Sequence, residues 1–158
     1  MRRMLMLAVA TAIGLPASGP AMAAPPPLPA HPPAGYFVFQ KVVYQNDGGL
    51  PDDRAYFERE LHNIANHIAA VDGKVEIRVV DWGPGLKGFI AAKSDPALAK
   101  TIDDLRAKGV RFLICRNSLI AMNLAPSDLY GVGQVDIVPS GVAELARLQG
   151  QGFVYIHP

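Results

Sequence analysis

The sequence predicts an α/β fold built on a mainly parallel sheet of about five strands. Short runs rich in β-branched residues alternate along the chain with segments of helical apolar spacing. One of these runs is apolar almost throughout, which is typical of a strand near the centre of a parallel sheet. A chain of 158 residues that is 50% hydrophobic can bury one modest core. We therefore expect one domain with helices on both faces of its sheet.

The first half of this domain predicts two strands joined by a helix. Lys41–Tyr44 is the first strand, and it ends at the turn signal Asn46–Gly49. The helix begins with Asp52 or Asp53 as its N-cap, and its apolar residues recur on one face. Those residues are Phe57, Leu61, Ile64, Ile68 and Val71. Lys74–Trp82 is the second strand.

The next helix has a clear beginning and a clear end. Asp95 is placed to cap it and Pro96 occupies its first position. Its buried stripe consists of Leu98, Ile102 and Leu105. Gly109 stands where a left-handed residue closes a helix, and the third strand, Val110–Ile114, follows it.

The remaining segments complete the predicted order of elements. We expect a short helix over Ser118–Met122, a fourth strand over Gln134–Val138 and a helix over Gly141–Leu148. The final strand is Phe153–Ile156. Strands that alternate with helices in this way predict a flavodoxin-like three-layer sandwich.

The N-terminus has the features of a cleaved export signal. A basic start at Arg2 and Arg3 precedes an apolar run, and Ala21–Ala23 supplies a small-x-small cleavage site. We therefore expect residues 1–23 to be a signal peptide, residues 24–35 a Pro-rich linker and residues 36–158 the α/β domain. Export predicts a periplasmic protein, with secretion as the second choice, and no stable membrane anchor after cleavage.

Composition argues against several classes of function. The formal net charge is +1, and removal of the leader with its two arginines makes it −1, so we expect no nucleic-acid partner. A single cysteine excludes an intramolecular disulfide and a cysteine-rich metal site. His62 and His67 are five residues apart, which places them on different sides of a helix. We expect neither a metal centre nor a bound cofactor.

Cys115 is the strongest candidate for chemistry. Ligands of such sheets bind beyond the carboxyl ends of the strands, near the point where the strand order reverses, and Cys115 follows the third strand. The helix after it would be capped by Asn117 or Ser118, so N–H groups and the charge of Arg116 would favour a thiolate. The alternative is a small, inert and buried cysteine.

Other residues at the same edge could hold a small anion or ligand. Gly83 to Gly88 matches the pattern G-x-G-x-x-G, but it follows the second strand instead of the first, so we do not expect a nicotinamide cofactor. Gly83 and Gly85 could still let a backbone approach a ligand. Ser140 and Gly141 begin a helix after a strand, which can provide N–H groups to an anion. Asn46 lies in the loop after the first strand.

Five segments of the chain carry a resemblance to a known family: Lys41–Tyr44, Leu61–His67, Lys108–Leu119, Val138–Val142 and Gln149–Pro158. Together they resemble the DsrE/DsrF-like family of sulfur-relay proteins, in particular its exported single-domain members. The resemblance implies a flavodoxin-like fold, homo- or hetero-oligomers, and a strand-end cysteine that carries persulfide sulfur in relay members. Cys115 stands at that position.

Two further functions remain beside the sulfur-relay hypothesis. In the first hypothesis Cys115 accepts persulfide sulfur from a donor protein or a small sulfur species and passes it to a partner thiol, with Arg116, Asn117 and Ser118 stabilising the anion. In the second, the same edge binds a small anion or a nucleotide-like ligand without catalysis. In the third, the protein is an oligomeric scaffold. We expect a homo-oligomer.

Overall fold

The computed structural model describes Pro33, residues 35–49 and residues 51–158. The predicted signal peptide at 1–23 lies outside the described residues, and so does nearly all of the predicted linker at 24–35. No helix in the described part of the chain is long and apolar enough to span a bilayer.

Five strands of the described chain form one sheet in which every neighbouring pair is parallel. The spatial order is β4-β3-β2-β1-β5. All carboxyl ends therefore lie at one edge, and the predicted α/β fold is confirmed as a flavodoxin-like arrangement. The strands are β1 (Gln40–Asn46), β2 (Val75–Asp81), β3 (Arg111–Cys115), β4 (Ile137–Val138) and β5 (Val154–Ile156).

Helices cover both faces of the sheet, which gives three layers. On one face, side chains of α1, α2 and α3 pack with alternate residues of β1, β2 and β3 into the larger core. On the other face, Leu145 and Leu148 of α5 pack on Val43, Val80 and Leu113. The helices are α1 (Asp53–Ala70), α2 (Lys87–Ala92), α3 (Pro96–Ala107), α4 (Arg116–Ala121) and α5 (Gly141–Gly150).

The predicted start and stop signals of two helices are confirmed. Asp52 caps α1, because its carboxylate accepts the N–H groups of Arg54 and Ala55 at 2.9 and 3.0 Å. Asp95 caps α3 in the same way, and Gly109 follows that helix with a φ of +90°. These caps fix where α1 and α3 begin.

Two predicted boundaries were wrong, and one helix was not predicted. The fourth strand is only Ile137–Val138, because the N–H of Gly133 bonds to the Asp136 carboxylate at 2.9 Å and closes a 3-10 turn over Gln134–Asp136. No helix was expected at the Gly-rich segment, but Gly83–Leu86 forms a 3-10 turn that continues directly into α2. The helix after β3 begins at Arg116, ahead of the predicted cap positions.

Candidate functional site

Cys115 joins β3 to α4 with no loop between them. It is the last residue of β3 and also the N-cap of α4, with extended backbone angles of φ −68° and ψ 116°. Because the strand leads straight into the helix, no residue is left for a separate cap, which is why neither Asn117 nor Ser118 has that position. The strand order reverses at β1, so Cys115 lies at the predicted edge but two strands away from the reversal.

The first turn of α4 surrounds the sulfur with donors. The sulfur does not close a side-chain cap on the helix, yet the N–H groups of Asn117 and Ser118 lie near enough to favour its anion. Burial raises the pKa of the Cys115 thiol, and the N–H group of Gly141 is the strongest influence that lowers it. Together with the Ser118 hydroxyl, these groups bring the pKa of the thiol below its ordinary value.

The hydroxyl of Ser118 links the sulfur to the turn after β2. Its Oγ accepts a hydrogen bond of 2.8 Å from the N–H of Gly83. Ser118 lies in the first turn of α4, three residues after Cys115, so its hydroxyl can donate to the thiolate and contributes to lowering the pKa of the thiol. The residues Ser118, Gly83 and Cys115 therefore form one connected group.

Gly141 lies between the sulfur and the indole of Trp82. A Cβ atom at Gly141 would be 2.5 Å from Cε3 of Trp82 and 3.4 Å from Cβ of Cys115. Only glycine lets the start of α5 approach the cysteine this closely. Trp82 was not among the predicted site residues, because the sequence indicates it only as the last residue of the second strand.

Cys115 itself is 5% exposed, so its thiol lies just below the surface. The sequence left open a reactive thiolate and an inert, buried cysteine, and Cys115 has a feature of each. It is buried, but hydrogen-bond donors lie near its sulfur, whereas an inert core cysteine has aliphatic neighbours. A reactant must approach past the groups that cover it. Gly141 is one of these groups, and the indole of Trp82 packs against Gly141.

Two predicted ligand-binding residues lie inside the fold, on the side away from the sulfur. Asn46 is completely buried and bonds to Asp81 and to the carbonyl of Gly85. Gly85 packs on Asn46 so closely that a Cβ atom would be 2.5 Å from the Asn46 carbonyl oxygen. Gly88 packs on Phe57 in the same manner. The protein itself fills the space that these glycines leave open.

The other predicted residues lie around the sulfur with different exposure. Arg116 and Asn117 are exposed, and Arg116 lines a groove of about 490 Å³ together with Ile120 and Pro139. The hydroxyl of Ser140 is 3.5 Å from the N–H of Ala143, so it serves as the cap of α5. Its contribution to the site is indirect, through the position of the N–H that follows it.

Two buried carboxyl groups were not predicted from the sequence. Asp81 at the end of β2 and Glu60 of α1 are buried on the face of the sheet opposite Cys115. Burial raises the pKa of Asp81 to about 8 and raises the pKa of Glu60 well above its ordinary value. Oδ2 of Asp81 and both carboxyl oxygens of Glu60 have no hydrogen-bond partner among the described residues. An Asp at the end of a strand carries no sequence signal of such burial.

The two histidines of α1 do not combine into a binding site. His67 bonds to the hydroxyl of Tyr44 at 2.7 Å and to the side chain of Gln40 at 2.6 Å, which explains its position structurally. His62 is exposed. Within the described ranges, no three His, Cys, Asp or Glu side chains are grouped to hold a metal ion.

Comparisons with known proteins agree with this architecture. A model of the DsrE/DsrF-like family matches residues 40–158, a range that includes Cys115, Ser118 and Gly141. Among solved structures, the chain is similar to MTH1491 from Methanobacterium thermoautotrophicum, which is described as a protein of unknown function. The identity is 31%, the TM-score is 0.63, and the match covers 75% of this chain and 99% of that chain. No curated protein matches. The family match covers three quarters of the chain, including the residues of the candidate site. The chain therefore belongs to the DsrE/DsrF-like family.

Proposed function

We propose that this protein is an exported sulfur carrier in which Cys115 holds persulfide sulfur. Its family suggests a role of the sulfur-relay kind. The observation that carries the proposal is the convergence of N–H groups from α4 and α5, and of the Ser118 hydroxyl, on a single sulfur atom. A thiolate is the form of cysteine that attacks sulfur, and these groups favour it.

The reaction is an exchange of sulfur–sulfur bonds without net oxidation. The Cys115 thiolate attacks the outer sulfur of a donor persulfide, the donor's S–S bond breaks, and a new S–S bond forms on Cys115. The donor leaves as a thiolate and takes up a proton. A partner thiolate then attacks the outer sulfur on Cys115, which releases Cys115 as a thiolate again. The terminal sulfur of the persulfide is anionic, so the same donors stabilise both states.

The position of the thiol favours reactants that are narrow at their reactive end. Because Cys115 is only 5% exposed, a small sulfur species or a cysteine on a protruding partner segment is the expected donor or acceptor. Arg116 and Ile120 lie in the neighbouring groove, where such a partner would make contact. The donor could be a protein or a small molecule, and both classes serve as probes of the carrier role.

Export and self-association are further parts of the proposal. The leader features at residues 1–23 support a periplasmic location, and secretion is the second choice. Val135 and Ile120 are 81% and 67% exposed, which supports an interface between copies of the chain. Fractionation of the host cells and light scattering of the purified protein test these two statements separately.

Mass spectrometry of Cys115 tests the carrier role. After incubation with polysulfide, or with a persulfide-bearing protein, we expect the Cys115 peptide to gain one sulfur atom, and a partner thiol to remove it again. Cys115→Ser should gain none. If Cys115 stays unmodified while a reactive control thiol is labelled, the carrier role is wrong.

A ligand-binding role would give a different pattern. In that case small anions or nucleotides would raise the melting temperature of wild-type protein and Cys115→Ser equally. An oligomeric scaffold would show neither the sulfur adduct nor the stabilisation. The two measurements on the same pair of proteins therefore separate the three functions.

A further inference from the structure

A buried amide lies directly under the turn that follows β2. Asn46 at the end of β1 is completely buried, and both N–H bonds of its amide are used. They donate to Oδ1 of Asp81 at 2.7 Å and to the carbonyl of Gly85 at 3.2 Å. The amide oxygen accepts the N–H of Gly48 at 3.2 Å. A side chain so fully bonded has one orientation.

The turn over Gly83–Leu86 is held against this amide by three kinds of contact. Besides the bond to the Gly85 carbonyl, the N–H of Trp82 donates to the Asn46 carbonyl at 3.0 Å. A Cβ atom at Gly85 would be 2.7 Å from the amide oxygen of Asn46. The turn therefore cannot shift towards β1, and its height above the sheet is set by Asn46.

The same turn determines where Ser118 points. The N–H of Gly83 donates to Oγ of Ser118 at 2.8 Å, and the Ser118 hydroxyl in turn favours the Cys115 thiolate. A continuous path thus runs from the buried amide to the thiol, although Asn46 and Cys115 lie on opposite faces of the sheet.

We propose that Asn46 is a positioning residue for Cys115, which acts through the Gly83–Leu86 turn and the hydroxyl of Ser118. Asp81 supports it, because Oδ1 of Asp81 fixes the orientation of the amide. This inference rests on the proposed role of Cys115 as a reactive thiol. It differs from a purely structural role of Asn46 because it requires Ser118 as an intermediate.

The rate of alkylation of Cys115 by iodoacetamide at neutral pH tests this path. We expect Ser118→Ala to slow alkylation on the order of tenfold, since a hydrogen bond to a charged group is lost. Asn46→Ala should slow it severalfold, by no more than Ser118→Ala does. Tyr44→Phe is the matched control: it removes a buried hydroxyl from the same strand without contact to the turn, and the rate should not change.

The decisive measurement is the double variant. If Asn46 acts through Ser118, then Asn46→Ala should leave the rate within about twofold when it is added to Ser118→Ala. If Asn46→Ala alone has no effect, or slows alkylation equally in both backgrounds, the inference is overturned. Should Asn46→Ala fail to fold, Asn46→Ser at the same position carries the test, since its shorter side chain cannot reach both acceptors.

This test is separate from that of the proposed function. Alkylation needs no sulfur donor, so the path from Asn46 can be confirmed even if Cys115 never accepts persulfide sulfur. Conversely, a sulfur adduct on Cys115 together with additive effects of the two substitutions would support the carrier role and remove the inference about Asn46.

Discussion

Gly141 and Trp82 pack so closely that a Cβ atom on the glycine would stand 2.5 Å from Cε3 of the indole. Real Cβ contacts of that length do not occur, so any other residue at position 141 must displace either α5 or the indole. The N–H of Gly141 is also the strongest of the groups that lower the pKa of the Cys115 thiol. Because Gly141 has no side chain, its N–H group can lie close to the sulfur of Cys115.

Gly141→Ala is expected to weaken both stability and reactivity. The added methyl group overpacks the space beside Trp82, which costs about 1–3 kcal/mol of unfolding free energy. It also moves the N–H away from Cys115, so alkylation at neutral pH should slow. Chemical denaturation and iodoacetamide kinetics measure the two effects.

Gly150→Ala is the control in the same helix. A Cβ atom at Gly150 would meet no atom of another described element within 4 Å, so this substitution should not reduce stability or alkylation rate. Equal behaviour of the two variants would show that the close packing at position 141 is unimportant for the thiol.

Trp82→Ala is expected to make Cys115 more accessible without changing its ionisation. The indole packs against Gly141, the residue whose N–H faces the sulfur, and it is not among the groups that shift the pKa of the thiol. Alkylation should therefore become faster at every pH, with an unchanged midpoint of its pH dependence. A bulky maleimide should gain more than iodoacetamide. A shifted midpoint with no gain in rate would contradict this role of Trp82.

The buried carboxyl pair predicts that the protein loses stability as the pH rises. Burial raises the pKa of Asp81 from 3.8 to about 8. Between these values the unfolded chain has released the proton while the folded protein still holds it, so the free energy of unfolding falls with rising pH. Glu60 adds to this slope, since burial raises its pKa too.

Glu60→Gln tests this relationship, because the amide cannot ionise and Glu60 makes no hydrogen bond to a described residue that would be lost. We expect the unfolding free energy of the variant to decline less steeply than that of wild type as the pH rises above the ordinary pKa of a glutamate. Glu58→Gln, at an exposed position of the same helix, should keep the wild-type slope. If the unfolding free energies of wild type and Glu60→Gln change with pH at the same slope, Glu60 ionises normally in the folded protein.

Much of the fold could be predicted because it depends on local signals. Asp95 and Pro96 define the start of α3 through a cap and a fixed φ, and Gly109 ends it with a positive φ. Helix α2 was missed because Gly-Pro-Gly usually interrupts structure, whereas here Gly85 and Gly88 allow close packing on Asn46 and Phe57. Such a contact joins distant parts of the chain and leaves no local pattern.

Several residues of the candidate site could be named from the sequence, among them Ser118, Gly83 and Gly141, but their contacts with one another could not. Cys115 at the end of an apolar strand indicates the carboxyl edge, and Ser118 follows within one turn. Trp82 was not predicted, and Asn46 was predicted as a ligand-binding residue and not as a support for the turn after β2. Their contacts are with residues about 60 and 40 positions away in the chain, respectively. Alternation within one strand cannot reveal which neighbouring element those side chains will meet.

The titration of Cys115 tests most directly whether this edge of the sheet stabilises a thiolate. The ultraviolet absorbance of the thiolate is followed against pH in wild-type protein, with Cys115→Ser as the blank. We expect a midpoint clearly below about 8.5, the value of a free cysteine. A midpoint at or above that value would mean that burial outweighs the surrounding N–H groups, and would contradict a reactive thiol at this position.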